Sequence, residues 1–190
     1  MKINLDNVNL SSNSGPNSFA QKLIKYSNKT SEILGFHIDP DAYLCFIEST
    51  QRKFNKPMFQ RIDGIYFNKK QRYVLQNLNI KRTYEVSSGV IFQSNFNKLL
   101  TFKHFGEHSN YTVIHNGADL ESISKTEPLA LNRYENLWAC ASSWRPHKRL
   151  KDNVEYFLQH SGDRDCLVVA GSGQDMHKIK HDRIFYVGDL

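Results

Sequence analysis

Arg145, Lys148 and Arg149 crowd into one short stretch, Trp144-Arg145-Pro146-His147-Lys148-Arg149-Leu150, directly after an apolar run. Residues 136–142 read as a strand, and the basic stretch as the first turn of the helix that follows. Pro146 suits a helix start, because the N–H it lacks has no intrahelical partner there. Cations in a first turn oppose the helix macrodipole by about 0.3–1 kcal/mol each. An anion on the unpaired backbone N–H groups removes that conflict, and phosphate is the usual occupant. Two readings stay open: a diphosphate site, or the solvated basic face of an ordinary helix.

Further along, Val168-Val169-Ala170-Gly171-Ser172-Gly173 reads as a buried strand emptying into a Gly-x-Gly turn. Ligand-lining loops of open α/β sheets leave strands in this way, and a plain strand-exit turn accounts for it equally. Arg61, Asp63 and Gly64 form a polar knot after another strand, either tying down a turn or bordering a cleft. Asn116-Gly117 reads as a turn demanding positive φ, with Asn116 a second cleft candidate. In Ser14-Gly15-Pro16 the glycine serves a tight turn or lets backbone approach a ligand. His177 and His181 could share a helix face, with Asp175 or Asp182 supplying an oxygen. No H-E-x-x-H pattern accompanies them, and the expectation is no metal.

The elements that must position these residues alternate along the chain. Strands are expected over 2–5, 42–47, 57–61, 89–93 and 111–115, with His37 in a further strand-like run. Helices are expected around Phe19, Leu23 and Tyr26, over 69–85, and from an N-cap at Ser94 to a stop at Gly106. Residues 118–133 lapse into polar sequence and read as a linker, after which strands over 136–142, 166–170 and 183–187 restart the pattern. This predicts an α/β fold with a mainly parallel sheet, divided into residues 1–133 and an incomplete second unit, 134–190.

With 39% hydrophobic and 23% charged residues, the 190-residue chain has an ordinary soluble balance. No apolar run approaches the roughly 18 residues of a membrane span, and the N-terminus lacks the apolar core of a secretory signal. Cys45, Cys140 and Cys166 sit in apolar runs without C-x-x-C spacing, as core residues in a reducing compartment do, so the cytoplasm is the expected location. The net charge of +6 fits a phosphorylated ligand or an anionic membrane leaflet. Its basic residues are too dispersed to single out nucleic acid.

Taken in order, the Ser14-Gly15-Pro16 loop, Arg61-Ile62-Asp63-Gly64-Ile65-Tyr66-Phe67, Val90-Ile91-Phe92-Gln93-Ser94, Val113-Ile114-His115-Asn116-Gly117-Ala118-Asp119, the Trp144–Leu150 stretch and Gly171-Ser172-Gly173 resemble the family 4 retaining glycosyltransferases. The resemblance implies a GT-B fold of two Rossmann-like domains, the first receiving a glycan, lipid or protein acceptor and the second a nucleotide-sugar donor. It places Lys148 against the donor diphosphate as the main catalytic cation, with Arg145 and Arg149 beside it. The position where the family carries an arginine is Ser143 here, with Arg145 nearest to replace it. Gly15, Gly171 and Gly173 fall on donor-side loops, and Arg61, Asp63 and Asn116 on the acceptor or cleft side. The family works without an essential metal, with the donor as substrate and no cofactor. Its paired glutamates have no counterpart here, so a separate polypeptide completing the donor domain is one expectation. A catalytically inactive binding subunit is the alternative to an active transferase.

Overall fold

The computed structural model describes residues 1–12, 14–27, 33–69, 72–128, 131–173 and 179–189, with the backbone only of Ile33. The chain divides into two compact units, Met1–Asp119 and Leu120–Leu190.

The first unit runs β1 (Lys2–Asp6), α1 (Gly15–Ser27), β2 (Ile33–Gly35), β3 (Ala42–Phe46), β4 (Met58–Ile62), α2 (Tyr73–Gln76), α3 (Leu78–Val86), β5 (Gly89–Phe92), α4 (Asn95–Phe105) and β6 (Tyr111–Val113). Its six strands form one sheet in the order β2-β1-β3-β4-β5-β6, every pair parallel. Successive side chains of a strand face opposite ways, so the register sorts the core into two layers. Phe46 pairs with Arg61 and shares its face, while the next residue, Ile62, pairs with Phe92 on the other. Leu5 and Phe46 pack against Ala20, Phe19 and Leu23 of α1. Ile62, Val90 and Phe92 pack against Ile80 and Tyr84 of α3 and Leu100 and Phe102 of α4. Burying each such side chain is worth about 1.5–3 kcal/mol, which holds helices on both faces of the sheet.

Local chemistry explains most boundaries. Ser94 caps α4 by accepting from the Asn97 N–H at 3.1 Å, and Gly106 ends it at φ 92°. The helix expected over 69–85 is instead two, α2 and α3, and residues 70–71 lie outside the described part. Buried Asn77 marks the break: its amide accepts from the Tyr66 N–H at 3.0 Å and donates to the Tyr66 carbonyl at 2.7 Å. His37 lies beyond β2, with its N–H donating to Asn4 Oδ1 at 2.7 Å. Just past β1 and β3, Asn7 (φ 59°) and Ile47 (φ 65°) hold left-handed backbone. Ile47 centres a tight turn closed by Glu48 N–H to the Phe46 carbonyl at 2.8 Å. A β-branched residue there costs about 1–3 kcal/mol.

The second unit comprises α5 (Leu120–Ser124), β7 (Asn136–Ala141), a 3-10 turn (Pro146–Lys148), α6 (Leu150–His160), β8 (Asp165–Ala170) and β9 (Ile184–Gly188). Its sheet is parallel in the order β7-β8-β9. Leu150, Val154 and Phe157 form the buried stripe of α6 over Leu167, Val169 and Ile184, with Trp144 completing the cluster. Cys45 and Cys166 are buried and Cys140 half-buried, all as free thiols. Among the described residues no helix is long and apolar enough to cross a membrane.

Candidate functional site

In the second unit the basic stretch is not the first turn of α6, as its residue types suggest. Arg145 is extended (φ −136°, ψ 163°), Pro146–Lys148 make a 3-10 turn, and Arg149 adopts left-handed backbone (φ 52°, ψ 49°). α6 begins only at Leu150, and its own first turn carries Asp152, which suits the helix dipole. The left-handed conformation of Arg149 costs about 1–2 kcal/mol. Trp144 holds the turn in place. Its indole Nε1–H donates to the Ala170 carbonyl at 2.9 Å, and its N–H to the Ser172 carbonyl at 2.8 Å. Only 2% of Trp144 is exposed, so the ring is a rigid peg in the core.

This pin sets the basic turn beside the Gly-x-Gly turn, both beyond the carboxyl ends of β7 and β8. Crowding explains the glycines themselves. Gly171 has φ 100°, and a Cβ there would stand 1.9 Å from the Ser142 carbonyl oxygen. A Cβ on Gly173 would stand 2.0 Å from the Trp144 carbonyl oxygen. Arg145, His147, Lys148 and Arg149 are all exposed. Arg145, Lys148 and Arg149 make no ion pair with described residues. Such a cluster sits beside the unpaired N–H groups of the first turn of α6, an arrangement that takes an anion.

In the first unit Arg61, Asp63 and Asn116 meet at the carboxyl side of β4–β6. Arg61 is 4% exposed, with its guanidinium 3.8 Å above the Phe19 ring. Nη1 pairs with Asp63, and Nη2 donates to Asn116 Oδ1 at 2.8 Å. The Asn116 amide donates to Gln93 Oε1 at 3.1 Å, and Gln93 and Asn97 both donate to the Asp63 carbonyl at 2.6 Å. Burial pushes the Asp63 carboxyl above its ordinary value, with Arg61 working against the shift. Burial likewise draws the Arg61 guanidinium down, with Asp63 opposing it. The closed network joins the ends of three strands. It also corrects the expected Asn116-Gly117 turn: neither residue has positive φ. Gln93 and Asn97 had no sequence signal for this role, because their partner is a backbone carbonyl distant in the chain.

Gly15 opens α1 without positive φ, and a Cβ there would meet nothing within 4 Å. Neither strain nor crowding requires a glycine at that position. Asp175 and His177 lie outside the described residues. His181 sits against its neighbour Asp182, Nδ1 to Oδ1 at 3.0 Å.

Two Rossmann-like α/β units in succession, each with its singular residues beyond the carboxyl ends of parallel strands, define the GT-B class of fold. Among solved structures, the chain is similar to Anabaena Alr3699/HepE in complex with UDP and glucose, with a TM-score of 0.71 and 12% identity over 100% of this chain and 70% of that one. The same protein in complex with UDP-glucose gives 0.71 and 13% over 100% and 69%. Its UDP complex gives 0.58 and 13% over 91% and 52%. No protein-family model and no curated protein matches the sequence.

Proposed function

We propose that this protein is a glycosyltransferase that moves a sugar from a nucleotide-sugar donor to a hydroxyl acceptor, with retention, as the resembled family 4 enzymes do. The observation that carries the reading is the exposed basic turn around Lys148, without an ion pair among the described residues and pinned by Trp144 beside Gly171-Ser172-Gly173. The similar Anabaena protein was solved with UDP-glucose, which supports a nucleoside diphosphate as the anion.

In this reading the bond between the anomeric carbon and the diphosphate breaks as charge collects on the leaving phosphate. Lys148, flanked by Arg145 and Arg149, stabilises that charge together with the N–H groups opening α6. The acceptor hydroxyl attacks from the face the diphosphate leaves, and its proton passes to the departing phosphate oxygen. The cations take the neutralising role, and the donor is a substrate rather than a cofactor. Gly15 leaves room for a ligand before α1, and the Arg61–Asp63–Asn116 network fixes the acceptor-side wall. The acceptor is a hydroxyl of a glycan, lipid or protein. A partner polypeptide could add to the edge strand β9, and the net charge of +6 suits work at an anionic membrane surface. The three free thiols fit the cytoplasm.

Calorimetric titration of the full chain with UDP and UDP-glucose tests the proposal. Lys148→Ala removes one charge-assisted contact and should weaken UDP binding about 10- to 100-fold, leaving the melting temperature unchanged. A wild-type chain that binds neither ligand, or a variant that binds as the wild type does, would refute it.

A further inference from the structure

A cavity of about 460 Å³ opens at the carboxyl end of β1 and is lined by residues with no part in the network around Arg61. Its side chains share a pattern. Asn7 donates its amide to the Phe46 carbonyl at 2.8 Å, which leaves its Oδ1 available. Asn9 accepts from the Ser11 N–H at 3.0 Å and Asn17 from the Asn9 N–H at 3.0 Å, which leaves both Nδ2 groups available. Gln51 donates to Asp6 Oδ1 at 3.3 Å and keeps its Oε1. These backbone and carboxylate partners settle the orientation of each amide, since only one end of each can make the bond seen.

The cavity therefore carries fixed donors and fixed acceptors together, with Asp6 the sole ionisable residue among the described ones that line it. A carboxylate repels phosphate, and amides of both polarities are wasted on an apolar ligand. A ligand bearing several hydroxyls, each donor and acceptor at once, satisfies them all. Phe36 also lines the cavity and is 63% exposed, and an accessible aromatic ring suits the C–H side of a sugar. The volume suits one or two sugar rings.

We propose that this cavity binds a neutral saccharide, which makes the acceptor a glycan rather than a lipid or protein hydroxyl. As the acceptor assignment it rests on the transferase reading above, whereas saccharide binding itself does not.

The test is NMR titration of the ¹⁵N-labelled full chain with glucose, galactose and N-acetylglucosamine in turn, and separately with inorganic phosphate and UDP. At least one saccharide should shift the resonances of Asn7, Asn9 and Asn17, and phosphate should leave them in place. Gln51→Ala and Phe36→Ala, both at exposed positions, should keep the wild-type spectrum elsewhere. Each should weaken that saccharide about 3- to 10-fold, the loss of one net hydrogen bond or one ring contact. Failure of all three sugars to shift these residues, or binding that both variants leave unchanged, overturns the inference. UDP binding without a saccharide response removes the cavity assignment and leaves the transferase reading standing. A saccharide response without UDP binding supports the cavity and removes the transferase reading.

Discussion

Gly171→Ala should unfold the second unit far more readily than its one added methyl group suggests. The new Cβ would stand 1.9 Å from the Ser142 carbonyl oxygen, so one backbone segment must retreat by about 1.5 Å to reach an ordinary 3.4 Å contact. That movement breaks the link from Ser142 N–H to the Ala170 carbonyl (3.3 Å) and disturbs both hydrogen bonds of Trp144. Three net bonds at about 1 kcal/mol each, with left-handed strain at φ 100° of about 1–2 kcal/mol, give a loss of about 4–5 kcal/mol. Gly15→Ala is the control, because its Cβ meets nothing and its φ is not positive; it should be neutral or stabilising by about 0.4–1 kcal/mol. Urea denaturation followed by tryptophan fluorescence makes the measurement, since Trp138 and Trp144 both belong to the second unit and are the chain's two tryptophans. A Gly171→Ala midpoint equal to that of the wild type would show that the two turns do not pack as described.

Acid should probe the same unit through Asp165, whose carboxylate accepts from the Asn136 amide at 2.7 Å and the Gly162 N–H at 2.9 Å. These bonds, that of Asn136 foremost, hold its carboxyl below the ordinary 3.8. The stability it contributes is therefore full above that value and lost as pH falls through the lower folded one. Asp165→Asn should flatten the decline in the tryptophan-monitored midpoint between about pH 5 and pH 3. In the first unit, Arg61→Met leaves the half-buried Asp63 carboxylate and the exposed Asn116 amide without their partner, at a cost of about 1–3 kcal/mol by far-UV circular dichroism. Adding Asp63→Asn should recover more than half of it, and a double variant no better than the single one would remove the ion pair from the account.

The fold was legible wherever the determinant is local. Ser94 and Gly106 bound α4 through contacts within one turn, and the apolar runs of β3, β5 and β8 announce buried parallel strands. It was less legible where a distant partner decides. Arg145-Pro146 has the composition of a helix start, yet the turn there is shaped by Trp144 reaching across to Ala170 and Ser172. Asn116-Gly117 has the composition of a left-handed turn, yet Arg61 and Gln93 hold the Asn116 side chain and no positive φ results. Asn77 interrupts a helical pattern by bonding Tyr66, which no periodicity reveals. Among the site residues, the grouping of Arg145, Lys148 and Arg149 could be read from their adjacency. The joining of Arg61 to Asn116 could not, because it depends on strand order.

That strand order also governs how the molecule comes to be made. Every ladder in both sheets is parallel, so no two neighbouring strands can be joined by a short hairpin. β1 lies inside the sheet and, preceding both neighbours in chain order, must wait for β2 on one side and β3 on the other. Contacts so far apart in sequence slow folding and lengthen the time that unpaired strand edges stay exposed. The first unit closes within residues 1–119, so it can complete its sheet while the second is still emerging from the ribosome. Synthesis order, more than equilibrium stability, would then decide how much of this protein reaches its native state when production is fast.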